Sequence, residues 1–159
     1  MMKRIVRWNT YRFAATVLIL YCILHSYGAL LTTPQFGADS DSVIAAMRSV
    51  HFPAQGFRDT WYGFYEGFGW FASVLFALSA AQLWIIGGWD DARRRSARSL
   101  VLALALAHAV GAALCLEYFF TAALFFSTLT TIAILWALWR DRQAISGSER
   151  AGGRNGSLS

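Results

Sequence analysis

Cysteine is scarce in this chain, and charge is missing from its longest stretches. Cys22 and Cys115 are the only thiols in 159 residues, so neither a paired-cysteine metal site nor a disulfide framework can be assembled. Both lie inside apolar runs, roughly 15 and 25 Å beyond the arginines that precede those runs at helical rise. Bridging them would need very unequal helix tilts. They read as small buried apolar residues, because thiol chemistry requires exposure and a lowered pKa. The sequence also lacks a phosphate-binding glycine loop and a set of nucleophile, base and orienting group, so no catalytic residue is assigned. Ser26 follows His25, but neighbours on a helix point about 100° apart, and adjacency alone makes no catalytic pair.

What is present is apolar. Hydrophobic residues make up 57% of the chain, which is too much for an ordinary soluble domain and suits one compact membrane unit. The net charge of +5 does not point to nucleic acid, which requires a continuous basic face. Here Arg12, Arg98 and Arg140 each abut a long uncharged run, so the lipid bilayer is the expected partner.

Four membrane spans are expected. The first is 13–31, close to the roughly 20 residues that a hydrocarbon core of about 30 Å demands. No small-residue cleavage site follows it, so it reads as an uncleaved first helix rather than a signal peptide. A second span covers 62–86, ended by Gly87 and Gly88. From Ser99 to Trp139 the chain stays apolar long enough to cross twice, and Glu117 is the only charge in that stretch. A hairpin around Glu117 to Thr121 divides it into spans 99–117 and 121–139. The predicted fold is therefore all-α, a four-helix transmembrane bundle over 13–140. A basic segment, 1–12, precedes it, and a Gly- and Ser-rich tail, 141–159, expected to be disordered, follows.

Twelve of the fourteen Lys and Arg residues lie before span one, between spans two and three, or after span four. The positive-inside rule then places both ends in the cytoplasm, with the loop 32–61 outside. That loop is patterned. Asp39, Ser40 and Asp41 offer helix caps, and Val43, Ile44, Met47 and Val50 follow at helical spacing before Pro53, which predicts a short amphipathic helix at the outer surface.

Ionisable and small residues within the spans supply the candidate sites. A charge at mid-bilayer costs about 2.5 to 3.5 kcal/mol on insertion scales, so each needs a partner or a shallow position. One arrangement groups His25, Glu66 and Glu117 in an outward-facing polar site with Arg58, Tyr62 and Tyr65 at its rim. Gly63 and Gly67 form a GxxxG step, and Ala103, Ala107 and Gly111 a small-residue stripe, both suited to close helix packing. His25 and His108, at depths about 5 Å apart, would alternatively serve as axial ligands to a haem, which a Soret band would reveal.

The segment Met47 to Phe52 with Gly56, Arg58, Trp61, Phe64, Tyr65, Gly67, Phe68 and Gly69, together with His25 and the run Glu117, Tyr118, Phe119 and Phe120, resembles a family of small uncharacterised bacterial four-helix integral membrane proteins. The likeness covers about 13–140. It implies architecture rather than an activity. Members often carry an acidic residue where this chain has Tyr62 or Gly63, so no carboxylate is carried over there. The expected role is a non-enzymatic binding or accessory protein, whose partner is another membrane protein or a homo-oligomer. A haem- or quinone-binding redox protein, or an enzyme acting on a lipid-like substrate through Glu66 or Glu117, are the alternatives.

Overall fold

The computed structural model describes residues 9–32, 36–56 and 58–155, with side chains throughout apart from those of residues 29 and 144–155. It is all-α. The helices are α1 (Thr10–His25), α2 (Ala38–Ser49), α3 (Trp61–Gly87), α4 (Asp91–Ser96), α5 (Arg98–Tyr118) and α6 (Thr121–Asn155). A π-helical segment, Ser26–Leu31, continues α1. Among the described residues no strand forms, and an isolated antiparallel bridge joins His51 to Thr60.

Three helices are long and apolar enough to cross a membrane: Trp61–Gly87, Arg98–Tyr118 and Thr121–Gln143. At about 1.5 Å per residue each exceeds the roughly 30 Å of a hydrocarbon core. The first expected span is built differently. With 16 residues, α1 reaches only about 24 Å, and the rest of the run is the π segment.

Two compact units divide the chain, one of residues 1–19 and 79–159, the other of residues 20–78. In the first unit α1, α3, α5 and α6 each turn inward a set of residues spaced mainly three, four or seven apart. The sets are Tyr11, Ala14, Ala15 and Leu18 on α1; Ala80, Leu83 and Ile86 on α3; Val101, Ala105, His108 and Cys115 on α5; and Ala123, Ser127, Thr130, Ile134 and Ala137 on α6. Small residues let the backbones approach closely. They are not the stripe expected from the sequence: Ala103 and Ala107 are exposed, and a Cβ on Gly111 would meet nothing within 4 Å. The inward face of α5 lies one position round the helix from that stripe. The close approach falls instead at Gly87, where a Cβ would meet Asn9, Arg12 and Tyr11 atoms at 3.0–3.2 Å.

Helix ends follow local chemistry. Asn9 caps α1, its Oδ1 accepting the Arg12 N–H at 3.1 Å. Asp90 caps α4 by accepting from the Arg93 N–H at 2.9 Å, and that bond holds its carboxyl below the usual range. At the other end of the chain, α6 runs on to Asn155, past the point where the composition predicts a loose tail. Adding a residue to a formed helix costs far less than nucleating one, so the helix outlasts the apolar run that anchors it.

In the second unit, Tyr21 and Ser73 are the only buried residues among those described. Helix α2 has none. Its start also departs from expectation: Gly37, at φ 98°, is the N-cap, while Asp39 and Asp41 sit inside the first turn. Glycine adopts that φ without strain, and the two carboxylates face the positive end of the helix dipole.

Candidate functional site

Ser73, midway along α3, is the hub of a polar cluster inside an otherwise apolar region. Its Oγ lies 3.0 Å from His25 Nδ1 and 2.9 Å from Ser26 Oγ, and its carbonyl accepts the Cys22 thiol at 3.3 Å. Adjacent helical residues diverge by about 100°, yet His25 and Ser26 both reach this one hydroxyl. Ser73 stands between their two directions, at the point where α1 widens into the π segment. Such segments recur at functional sites. Tyr21 stacks on Phe76 at 4.4 Å, and the His25 ring meets Phe76 edge-on at 5.6 Å. One turn along α3 from Ser73, a Cβ on Gly69 would collide with the Leu30 side chain, so glycine admits that leucine.

A hydroxyl bonded to an imidazole is half of a nucleophilic apparatus. The remainder is not assembled: among the described residues His25 has no further hydrogen bond to orient it, and Ser73 is shared with Ser26. Burying polar groups in an apolar span costs free energy unless they pair, and these three satisfy one another.

The connection between α2 and α3 is an ordered arm. Phe52 N donates to the Asp59 carbonyl at 2.9 Å and Trp61 N to the Val50 carbonyl at 3.0 Å, which pins the arm into a narrow antiparallel turn. Gln55 (φ 51°) and Gly56 (φ 85°) reverse the chain at its tip. Inside the arm, Phe52 packs on Trp61 at 4.1 Å and on Phe64 at 5.2 Å. Thr60 caps α3, its hydroxyl accepting the Gly63 N–H at 3.1 Å.

The residues singled out from sequence are distributed as follows. Tyr62 and Tyr65 lie 6.3 Å apart, and the cation over Tyr62 is Arg48 on α2, at 4.4 Å. Arg58, expected at that rim, is exposed. Glu66 is half-buried on α3, and among the described residues it makes no ion pair. Glu117 is exposed near the end of α5, in the first unit, whereas His25, Arg58, Tyr62, Tyr65 and Glu66 belong to the second. The two histidines also divide: His108 is buried on α5 in the first unit, and His25 is half-buried in the second. Among the described residues, no other helix supplies the atoms nearest to either glycine of the GxxxG step. Asp59 occupies the space beside Gly63, and a Cβ on Gly67 would meet nothing within 4 Å.

The structure also holds a network that sequence reasoning missed. Tyr11, 1% exposed, donates its phenol to Asp141 Oδ2 at 2.7 Å. Asp141 lies 3.6 Å from Arg94 Nε, and Arg94 in turn pairs with Asp91 and donates to the Trp89 carbonyl at 3.1 Å. Asn9 Nδ2 donates to the Gly87 carbonyl at 2.7 Å. Residues from α1, α3, α4 and α6 are thereby tied together within the first unit. Burial, and the Asp141 carboxylate it serves, push the Tyr11 phenol well above the ordinary tyrosine range.

No family model, curated protein or solved structure matches this chain.

Proposed function

We propose that this chain is a four-span integral protein of the bacterial cytoplasmic membrane, with both ends in the cytoplasm, that works as a binding or accessory subunit through its outer loop. Three spans are α3, α5 and the apolar part of α6; α1 from Phe13 onward and the π segment together supply the fourth, 13–31, close to the roughly 20 residues a crossing needs. The inward faces of α1, α3, α5 and α6 in the first unit support a four-helix bundle. Placing the arginine-rich segments inside leaves α2 and its arm outside.

One observation carries the role. The arm and α2 are held in a defined conformation by the Val50–Trp61 and Phe52–Asp59 backbone bonds and by Arg48 on Tyr62, and yet α2 buries none of its residues. An isolated helix of 12 residues is marginal in water. Val43 and Val50 stand exposed, with Ile44 and Met47 half-covered, and this apolar side is the surface a partner protein would complete. Polar groups of the second unit are also open to a partner: Arg58 is uncommitted to any carboxylate among the described residues, and Glu66 likewise lacks a cation.

The test is photo-crosslinking in cells, with a photoreactive residue at Val43 or Arg58 and, for comparison, at Leu106 on exposed α5. The reading expects a discrete protein adduct from the loop positions and lipid adducts from Leu106. Lipid adducts alone from Val43 and Arg58 would overturn it.

A further inference from the structure

The arginines at one end of the first unit outnumber the carboxylates that serve them. Asp90, Asp91 and Asp141 are the described acidic residues there, and all are committed. Asp90 caps α4 and lies 3.7 Å from Arg93 Nε, Asp91 pairs with Arg94, and Asp141 holds Tyr11 and Arg94. Arg95, Arg98, Arg140 and Arg142 have no carboxylate in ion-pair reach among the described residues.

Their surroundings set the kind of anion. Arg12 lies over the Trp84 ring at 5.4 Å, its aliphatic stem against Gly87. Phe13, next along α1, meets Trp136 edge-on at 5.9 Å. Trp84, Trp136 and Trp139 remain 39%, 42% and 51% exposed. Indoles partly buried at the end of an apolar span sit at headgroup depth, so the uncompensated guanidinium groups stand at the level of lipid phosphates. A guanidinium presents two parallel N–H donors that match two phosphate oxygens, and stacking on an indole restricts it beforehand.

We propose that this end of the protein, Arg95, Arg98, Arg140 and Arg142 with the Arg12–Trp84 pair, selectively holds the headgroup phosphates of anionic phospholipids. The surplus charge then has its counterions in the bilayer itself, and the protein keeps a shell enriched in anionic lipid around the helix ends. An acidic protein segment would also neutralise arginines, but it would not need them flanked by exposed indoles.

The experiment reconstitutes the full chain in phosphatidylcholine vesicles with a fixed fraction of brominated lipid, either phosphatidylcholine or phosphatidylglycerol, and reads quenching of tryptophan fluorescence. An arginine near an anionic surface contributes about fivefold in affinity. Preference for phosphatidylglycerol above about fivefold is expected, falling toward parity in the variant Arg95→Gln, Arg98→Gln, Arg142→Gln. Equal quenching by the two lipids in the unaltered protein overturns the proposal, whatever the variants do. Loss of the preference on adding inorganic phosphate at constant ionic strength also overturns it, because a soluble phosphate would then be the ligand. Preference in the protein alone that vanishes once an acidic peptide is added assigns the surface to proteins and counts against lipid.

Discussion

Replacing Tyr11 with phenylalanine removes one oxygen and keeps the ring, so it isolates the bond to Asp141 from the packing around it. The ring fills a fully buried site, and phenylalanine leaves no cavity to add to the cost. What is lost is a phenol donating to a carboxylate at 2.7 Å. Hydrogen bonds to charged groups are worth about 1.5–3 kcal/mol when well buried. Two features reduce that here: the Asp141 side chain is 28% exposed, and it keeps Arg94 at 3.6 Å. About 1–2 kcal/mol of destabilisation is expected.

Proton linkage gives a second signature. Tyr11 has its pKa raised in the folded protein, so the folded state holds this proton more tightly than the unfolded chain does. The stabilisation is complete below about pH 10, the ordinary tyrosine value, and is lost as pH rises from there toward the raised value. Equilibrium unfolding in mixed micelles, followed by helical circular dichroism, measures both effects. Tyr11→Phe should be less stable at pH 8 and should lack the part of the alkaline loss that belongs to this phenol. In a double-mutant cycle with Asp141→Asn, the two changes should couple rather than add. A Tyr11→Phe protein within about 0.3 kcal/mol of the parent, with an identical alkaline profile, would refute the reasoning.

The Ser73 cluster and the glycines yield two further tests. Ser73→Ala removes two interhelical hydrogen bonds at once, each averaging about 0.6 kcal/mol in membrane proteins, so a loss near 1 kcal/mol is expected in the same unfolding assay; an unchanged or stabilised protein would show that His25 and Ser26 gain nothing from the hydroxyl. Gly67→Ala places a methyl group in open space and should stabilise α3 by up to about 1 kcal/mol, whereas Gly87→Ala forces a Cβ against Asn9, Tyr11 and Arg12 and should cost about 1–3 kcal/mol. The reverse order would mean that the GxxxG step packs on something and that Gly87 does not.

Uncharged runs marked the long apolar helices well, because chain length against bilayer thickness is a constraint that needs no tertiary information. Spans read as 62–86, 99–117 and 121–139 correspond to helices Trp61–Gly87, Arg98–Tyr118 and Thr121–Gln143. Helix faces were harder. A span apolar all round has no amphipathic stripe, so Ala103, Ala107 and Gly111 competed on equal terms with Val101, Ala105 and His108. The deciding signal was polar: Ser73, His108, Ser127 and Thr130 are all buried, and a residue that lipid would leave unpaired marks the inward face better than an alanine does. The pairing of Tyr11 with Asp141 was not legible, since residues 130 positions apart carry no mutual signature in one sequence. Nor was the π segment, within which Ser26 reaches Ser73 and Leu30 fits against Gly69, contacts that no spacing in the sequence announces.

The central claim is four crossings with both ends on the cytoplasmic side, and topology reporters test it most directly. A reporter active only in the periplasm should stay silent when fused at the C-terminus and become active when inserted after Gln55, at the tip of the arm. Activity from the C-terminal fusion, or silence at Gln55, would contradict the account.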